Sequence, residues 1–448
     1  MLTSFWRRPG RAWGLVLVAP AVAFACGSSP AGGTPAAAQD DSCAGPCPAT
    51  LIKHVVVLVQ ENHTFDDHLG AWCQAPAGSN PSCTRGRACC EAMPATDPAG
   101  NRPTSLTDAA MAAYDPPHDS VCEAAEMDGN KMDAYATAPG GCGSPKNVAM
   151  ADPATIAPLW ALASAGAVAD RYFQPIIGQS SANDMYLARA QYVFPDNSAA
   201  PAGAVGMTCD LESAPAQFTG KTIGDWLTGA SVPWAFYAEG YAAMRASGGS
   251  CPARPADCTF PLPFYPCAFD PSDVPFEYYA STRDDPATMK DLAAFEDALD
   301  HGGLPAVSFI KAIGYRSEHP GYGTTLSAGV TFVTDLVHHV AQSRYQASTL
   351  VLLTYDEGGG YFDHVAPPGA SAVDGKRYGT RVPLIAMGPF ARAGTVSHAV
   401  LEHSSIVKFL EWNFLGRATG QLGGRDAEVE NLGTLLDPSA TGATVPER

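Results

Sequence analysis

The chain has 448 residues, 46% of them hydrophobic, with 45 acidic and 27 basic residues and a formal net charge of −18. This acidic excess excludes nucleic acid as a partner, because a polyanion would be repelled, and an anionic substrate would need a local positive charge such as a bound metal ion. The length accommodates one or two domains, and we expect a single catalytic domain with insertions.

The first 25 residues predict a signal peptide for export. Three arginines precede a short apolar stretch that ends in the small-residue site Ala23–Ala25. Cys26 and the Gly/Pro/Ala/Ser-rich residues 27–42 are typical either of a lipidated cysteine with a flexible tether or of plain cleavage after Ala25. We therefore predict a secreted, periplasmic or cell-envelope protein, with peripheral membrane association through Cys26 in the lipidated case.

Cysteine usage agrees with export. Twelve of the 13 cysteines follow Cys26, and all twelve lie before residue 268. An even number suits disulfides in an oxidising compartment, and none of the spacings is that of a zinc finger or zinc ribbon. We predict disulfides that brace Cys-rich insertions at about 70–150 and 241–300 of a catalytic domain spanning 43–448.

Strands and helices alternate after the tether. The run HVVVLVQ at 54–60 predicts a buried strand, and the last third of the chain repeats a strand-then-helix pattern. Such alternation predicts an α/β fold with a mostly parallel central sheet and helices on both faces. The other predicted elements are a helix leading into a strand over 155–175, a helix beginning near Asp184 with the preceding Ser and Asn as its caps, a helix and strand over 222–240, strands over 306–312, 349–359 and 382–389, and helices over 324–343 and 404–416.

The two most apolar predicted strands both end in acidic residues. Glu61 and Asn62 follow the first, and Asp356 and Glu357 follow the strand at 349–355. Because ligands bind at the carboxyl ends of parallel strands, we expect these four side chains to meet at one edge of the sheet. Crowded carboxylates repel each other unless a cation holds them, and oxygen ligands suit hard or borderline divalent metals.

Six separated motifs, taken in order, resemble the bacterial phospholipase C and acid phosphatase family of the alkaline phosphatase-like superfamily. The resemblance covers about residues 52–416 and implies an alkaline phosphatase-like three-layer sandwich. The motifs are QENHTFDDHLG (60–70), DPPHD (115–119), GQSSAND (178–184), SEHP (317–320), YDEGGGYFDHVAPP (355–368) and YGTRVPLIAMGPFARAGTV (378–396).

The resemblance implies a role for each matching residue. Four residues would bind one divalent metal ion, with Ser180 beside it as the nucleophile, and the metal stays open among calcium, zinc, magnesium and manganese. His118 and His319 would contact the phosphoryl oxygens or protonate the leaving group. Asn183 and His364 are expected to contact the substrate, and a turn contact is the alternative for His364. The four implied metal ligands are Glu61, Asn62, Asp356 and Glu357.

Three positions depart from the motifs of the family. His63 and Asp184 stand where the motifs have arginine, and Ala182 stands where they have proline. Taken alone, Ser180 is typical of a helix cap and His118 of a proline turn. The prediction of a site therefore depends on the order of the six motifs.

We predict an exported metal-dependent phosphoesterase that hydrolyses small phosphate esters through a phosphoserine intermediate. We expect it to be similar to an acid phosphatase, because the chain ends soon after the last predicted helix. The alternative within the family is a phospholipase C acting on a phospholipid, and the alternative of another class is a catalytically inactive surface binding module. An α/β-hydrolase needs a tight strand-turn-helix at its nucleophile, which RYFQPIIGQSS (171–181) does not provide. A sulfatase needs a Cys/Ser-x-Pro-x-Arg pattern, which Ser180 lacks.

Overall fold

The computed structural model describes residues 46–448 except residues 213, 214, 257, 261 and 263. The predicted signal peptide and tether, with Cys26, lie outside these described residues. In the part of the chain that is described, no helix is both long enough and apolar enough to cross a membrane.

Strands of the described chain form one large sheet and two small pairs. Eight of them make the central sheet, in the order β11-β4-β10-β9-β1-β8-β6-β7. β10 is antiparallel to both of its neighbours, and the other pairs are parallel, so the predicted mostly parallel sheet is confirmed. The strands are β1 His54–Gln60, β2 Thr104–Leu106, β3 Ala149–Ala151, β4 Ala167–Ala169, β5 Tyr172–Phe173, β6 Trp234–Ala238, β7 Met289–Lys290, β8 Val307–Lys311, β9 Thr349–Tyr355, β10 Leu384–Met387, β11 Thr395–Ser397 and β12 Leu401–Glu402.

Helices cover both faces of this sheet. Successive side chains of a strand point to opposite faces. Val56 and Leu58 of β1 therefore pack with α4, α8 and α9, whereas Val55 and Val57 pack with α6 and α10, which confirms the three-layer fold. The α-helices are α1 Phe65–Leu69, α2 Asp108–Ala113, α3 Ser120–Met127, α4 Pro153–Ala165, α5 Ser180–Arg189, α6 Ile223–Gly229, α7 Tyr241–Ala246, α8 Leu292–His301, α9 Leu326–Gln342, α10 His403–Phe414 and α11 Pro438–Thr441.

The middle of the sheet is its most apolar part. Six of the seven residues of β1 are buried, and all seven residues of β9 are buried. Val57 of β1 lies opposite Leu352 of β9 and Phe309 of β8, so each neighbour contributes an apolar side chain at the same level. Strands that are covered on both faces have continuous hydrophobic sequences, and these elements could therefore be predicted from the sequence.

Disulfides brace the two Cys-rich insertions, as predicted. Three bonds lie in the first insertion and two lie in or beside the second, and Cys47 is also disulfide-bonded. Cross-links of this kind stabilise loop-rich segments mainly by restricting the unfolded chain. The bonds join Cys73 to Cys90, Cys83 to Cys89, Cys122 to Cys142, Cys209 to Cys251 and Cys258 to Cys267.

Candidate active site

The carboxyl ends of three adjacent strands, β9, β1 and β8, bring polar side chains to one edge of the sheet. Glu61 and Asn62 follow β1, Asp356 and Glu357 follow β9, and Lys311 is the last residue of β8. All five side chains are buried. The four oxygen-bearing residues at the strand ends thus lie together, in the arrangement that the sheet predicts.

Asn62 is held by its backbone and by its side-chain amide. Its φ of 64° lies in the left-handed region, where asparagine is tolerated better than most residues. The backbone N–H donates to Oδ1 of Asp356 (3.0 Å), and the side-chain Nδ2 donates to Nε2 of His118 (3.3 Å). These bonds occupy the backbone N–H and the side-chain nitrogen of Asn62. Its Oδ1 is buried and has no hydrogen-bond partner among the described residues.

Asp356 and Glu357 each keep one oxygen free. Oδ1 of Asp356 accepts the N–H of Glu357 (2.7 Å) in addition to that of Asn62, and Oε2 of Glu357 accepts the N–H of Gly359 (3.2 Å). Within the described chain, Oδ2 of Asp356 and Oε1 of Glu357 are buried without a hydrogen-bond partner. Buried polar atoms are normally paired, so these two oxygens are suited to bind a cation.

A glycine is required beside these carboxyl groups. Gly359 has a φ of +60°, and a Cβ there would lie 2.4 Å from the carbonyl oxygen of Asn62. Contact at that distance is impossible without moving the backbone. The glycine run after Glu357 therefore serves close approach of two backbone segments.

His403 supports the same strand end from the opposite side. It is the first residue of α10, and its Nε2 donates to the carbonyl oxygen of Asp356 (2.7 Å). Tyr172 donates its hydroxyl to Nδ1 (2.7 Å). Burial lowers the pKa of His403 to about 4, so the ring is neutral and fixed in one tautomer. His403 packs behind the site, in agreement with the packing role that its position at a helix start favours.

Lys311 is a site residue that the sequence reasoning missed. Its Nζ lies 3.5 Å from Oε1 of Glu61, 3.8 Å from Oδ2 of Asp356 and 3.9 Å from Oδ2 of Asp184. Burial opposes its charge, yet the surrounding carboxylates raise its pKa well above the usual range. The signal that could have revealed it is a lysine at the end of a fully buried strand, VSFIK.

The acidic residues around Lys311 resist ionisation. Burial, reinforced by neighbouring acids including Asp356, raises the pKa of Glu61, of Asp184 and of Glu357 well above normal values. The neighbouring carboxyl group of Asp273 is the largest cause after burial of the raised pKa of Glu61. A cation at this position would relieve the same repulsion.

Ser180 lies at the start of helix α5. The prediction of a helix beginning near Asp184 was wrong by one turn, since α5 begins at Ser180 with Gln179 as its N-cap. Ser180 is half-buried and lines a cavity of about 420 Å³ together with Glu61 and His118. The first N–H groups of a helix have no intrahelical partner, so they are available to an anion beside Ser180.

Asn183 shapes the loop that precedes Ser180. Its Oδ1 accepts the backbone N–H of Ile176 (3.1 Å), and its Nδ2 donates to the carbonyl oxygen of Gly178 (2.7 Å). The buried side chain thus folds the loop back onto the first turn of α5. This backward bonding explains why an asparagine expected as a cap lies inside the helix.

His118 and His319 face the cavity with the same ring nitrogen. Nδ1 of His118 donates to the carbonyl oxygen of Pro116 (2.7 Å), and Nδ1 of His319 donates to that of Pro320 (2.8 Å). A carbonyl oxygen only accepts, so a neutral ring carries its lone pair on Nε2. The ring centroids lie 5.6 Å apart, and burial lowers the pKa of His319.

His364, like Asn183, lies outside the lining of the cavity. Its Nδ1 contacts Oδ2 of Asp66 (2.7 Å) and its Nε2 contacts Oε2 of Glu91 (3.1 Å). Arg381 binds both Asp66 and Asp363 at 2.9 Å in the same buried cluster. His364 is not among the residues that line the cavity, so its contact with substrate stays a prediction.

Comparison with known proteins decides the family. The family model described as the Phosphoesterase family matches residues 52–415. This chain belongs to the Phosphoesterase family. The family predicted from the six motifs is confirmed.

Curated relatives of this Phosphoesterase member are named as phospholipases. The chain is 26% identical to phospholipase C A of Mycobacterium tuberculosis over 437 residues, which are 87% of this chain and 78% of the relative. It is 31% identical to the non-hemolytic phospholipase C of Pseudomonas aeruginosa over 173 residues, which are 31% of this chain. This match spans only 25% of that relative's length. A second match, to the hemolytic phospholipase C of the same organism, spans 18% of that protein.

Solved structures similar to this Phosphoesterase member are distant. An alkaline phosphatase superfamily protein from Vibrio parahaemolyticus is 12% identical and matches with a TM-score of 0.36, covering 86% of this chain and 72% of that protein. A phosphonate monoester hydrolase from Silicibacter pomeroyi is 14% identical and matches with a TM-score of 0.33, covering 64% of this chain and 72% of that protein. The family assignment rests on the sequence match.

The chemistry of the site in this Phosphoesterase member fits a divalent cation. Four buried carboxyl groups act on the ammonium group of Lys311, and a fifth, that of Glu357, lies beside Asp356. Asn62, Asp356 and Glu357 each have a buried oxygen without a hydrogen-bond partner among the described residues, and oxygen-rich ligand sets bind hard or borderline cations. The carboxyl groups are those of Glu61, Asp184, Asp273, Asp356 and Glu357.

Proposed function

We propose that this protein is a metal-dependent phosphoesterase with Ser180 as its nucleophile. The observation that carries the proposal is the shared cavity, which Ser180, His118 and His319 line together with Glu61 of the strand-end group. A serine at a helix N-terminus beside a cation site is suited to attack an anionic ester. Membership of the Phosphoesterase family supports the same reaction class.

The metal ligands that we propose are the unpartnered oxygens. Oδ1 of Asn62, Oδ2 of Asp356 and Oε1 of Glu357 would bind the ion, with Glu61 completing the set. A bound divalent ion supplies Lewis acidity, which lowers the pKa of a serine hydroxyl and offsets the charge of a phosphoryl group. Calcium, zinc, magnesium and manganese all accept carboxylate and amide oxygens, so metal analysis of the protein must distinguish them.

Proton transfer in the proposed reaction uses the lone pair on Nε2 of a histidine. His319 accepts the proton of the Ser180 hydroxyl as Oγ bonds to phosphorus, and it returns this proton to the leaving-group oxygen when the ester P–O bond breaks. In the second half, His319 takes a proton from the attacking water and gives it to Oγ as phosphate leaves. His118 instead accepts from the Asn62 amide, which fixes the orientation of that ligand.

The residues of the first helical turn and Lys311 supply the remaining positive charge. The free N–H groups at the start of α5 would bind phosphoryl oxygens beside Ser180. Lys311 lies between Glu61 and Asp356 and holds these carboxylates in place without ligating the ion. Charge complementarity of this kind stabilises the transition state because it exists before the substrate binds.

Two substrate classes share this chemistry. Our first candidate is a small phosphate monoester, as for an acid phosphatase, with a phosphoserine intermediate. The second is phospholipid head-group cleavage, which is supported by the match to 78% of a mycobacterial phospholipase C. Tyr265, Tyr322 and Asp115 line the cavity, and aromatic faces with a carboxylate suit a cationic head group.

Hydrolysis assays test the proposal. A chromogenic phosphomonoester and a phosphorylcholine ester are incubated with the wild-type protein, with chelator or with added divalent metal, and with Ser180→Ala. Ser181→Ala is the matched control, because that neighbouring hydroxyl donates to the carbonyl oxygen of Ser272 (3.0 Å). We expect metal-dependent turnover that only Ser180→Ala abolishes. Turnover by Ser180→Ala would refute the nucleophile, and absence of both turnover and bound metal would favour an inactive binding module.

We propose further that the protein is exported. The described disulfides are typical of an oxidising compartment, and residues 1–25 have the pattern of a signal peptide. Mass spectrometry of the N-terminal peptide from cells tests this proposal and distinguishes its two forms. A diacylated Cys26 would establish membrane association, an unmodified Cys26 terminus would establish plain cleavage, and a retained residue 1 would contradict export.

A further inference from the structure

A second cluster of titratable side chains lies beneath the candidate active site. His63 follows the metal-ligand pair of β1 by one residue, His68 lies in α1, and Glu318 precedes His319 in the SEHP loop. The side chains of His63, His68 and Glu318 are fully buried, and that of Asp67 lies between the two histidines. None of these side chains lines the active-site cavity.

A single carboxylate orients both imidazole rings. Oδ2 of Asp67 lies 2.8 Å from Nδ1 of His63, and Oδ1 of Asp67 lies 2.7 Å from Nδ1 of His68. Asp67 therefore holds a proton on each Nδ1 and turns both Nε2 atoms the same way. A histidine that ligates a metal through one nitrogen almost always donates its other N–H to a carboxylate or carbonyl group.

Both Nε2 atoms face the same residue. Nε2 of His68 lies 2.8 Å from Oε2 of Glu318, and Nε2 of His63 lies 3.1 Å from the carbonyl oxygen of Glu318. The Tyr355 hydroxyl donates to Oε2 (3.0 Å) and Nε2 of Gln60 donates to Oε1 (3.1 Å). The potential ligand atoms of the two histidines and Glu318 all lie within 4.8 Å of one another.

Proton counting leaves two ways to satisfy these contacts. With Asp67 and Glu318 ionised, every atom that faces a ring nitrogen only accepts, so hydrogen bonds without a metal ion require two protons on each ring. That makes two imidazolium rings with centroids 4.1 Å apart in a buried site, where like charges repel strongly. One divalent cation in place of the two Nε2 protons leaves the total charge unchanged and removes this contact between like charges.

We propose that His63, His68 and Glu318 bind a structural zinc ion, with Asp67 as their shared outer carboxylate. Zinc accepts imidazole nitrogen at about 2.0–2.1 Å and carboxylate oxygen at about 2.0–2.2 Å, so small side-chain movements close the site around the ion. The site would tie α1 to the SEHP loop. Glu318 has a φ of 72°, a costly conformation for a glutamate, and such a ligand would hold it and thereby fix the adjacent His319.

Zinc content of the full-length protein tests this site separately from the catalytic one. The variant Asp356→Asn/Glu357→Gln removes the proposed catalytic ligands, so any tightly bound zinc that it retains belongs elsewhere. After exchange into zinc-free buffer, we expect about one zinc per chain in this variant. Adding His68→Gln to it should remove the zinc, and the exposed His301→Gln change should not.

Thermal unfolding supplies a second readout that does not depend on catalysis. Added Zn²⁺ should raise the unfolding midpoint of chelator-treated Asp356→Asn/Glu357→Gln protein, since binding to the native state alone stabilises it. A folded Asp356→Asn/Glu357→Gln protein that holds no zinc and gains no stability from it would overturn the proposal and leave the cluster as a proton network. This result is independent of the proposed phosphoesterase activity, and it stands even where His68→Gln does not fold.

Discussion

Replacing Lys311 with methionine is the sharpest test of the electrostatic account of the site. The change keeps a long apolar stem in a buried position and removes the ammonium that contacts Glu61, Asp184 and Asp356 at 3.5, 3.9 and 3.8 Å. At an effective dielectric constant of about 20, each contact is worth about 4–5 kcal/mol before desolvation is subtracted. Removal of one partner from a buried ion pair costs about 3–5 kcal/mol, because the other charge is left unpaired.

We therefore expect Lys311→Met to lower the free energy of unfolding by about 3–5 kcal/mol in chelator. A divalent metal should reduce this loss, since it neutralises the same carboxylates. Lys290→Met is the matched control, because Nζ of Lys290 donates to an exposed backbone carbonyl oxygen, that of Pro286 (3.5 Å). That surface change should alter stability by less than about 0.5 kcal/mol.

A double-mutant cycle with Asp184→Asn isolates the electrostatic contribution to this loss in the free energy of unfolding. Removing one negative charge along with Lys311 should recover part of the loss, with a coupling energy of about 1–3 kcal/mol. Urea-induced unfolding followed by circular dichroism measures all four proteins in chelator. Additive effects of the two substitutions, or a Lys311→Met protein as stable as the control, would refute the reasoning.

Three further predictions concern the surroundings of the site. At Gly359, with a φ of +60°, an added Cβ would lie 2.4 Å from a carbonyl oxygen, so Gly359→Ala should destabilise the protein by about 1–3 kcal/mol and weaken metal binding in a calorimetric titration. Gly369→Ala, where an added Cβ meets open space, should not affect metal binding. Chelator should lower the unfolding midpoint of wild-type protein by more than that of Asp356→Asn/Glu357→Gln, and an equal decrease in both would show that the proposed catalytic ligands hold no stabilising ion. Burial raises the pKa of Glu123 from 4.5 to about 8, so the folded state binds more protons and stability is lost as pH rises across that window. Glu123→Gln should therefore lose less stability than wild type between these pH values, by at most about 5 kcal/mol, and parallel pH profiles would contradict this.

The centre of the fold could be predicted from the sequence because its chemistry is local. The aliphatic runs of β1 and β9 are typical of strands covered on both faces, and the acidic residues after them mark the strand ends. Parallel pairing of these two strands then brings Asn62 and Asp356 together. The even number of cysteines predicted disulfides but could not predict their pairing, which depends on distances between loops.

Other parts of the site depend on contacts between distant segments. Lys311 and Asp184 are far apart in sequence, and only the packing of α5 against the end of β8 makes them neighbours. The start of α5 was placed one turn late because Asn183 bonds backward to the preceding loop instead of capping the helix. His364 follows a motif acid, yet its ring is held by Asp66 and Glu91 away from the cavity.

Chemical trapping tests the central claim most directly. Wild-type protein is mixed with a phosphomonoester that carries labelled phosphate, quenched in acid during turnover, and mapped by peptide mass spectrometry. The account predicts a labelled phosphate on Ser180, which chelator and Ser180→Ala both abolish and Ser181→Ala does not. Labelled phosphate on another residue would contradict this account. Metal-dependent turnover without any labelled residue, together with an active Ser180→Ala variant, would contradict it as well.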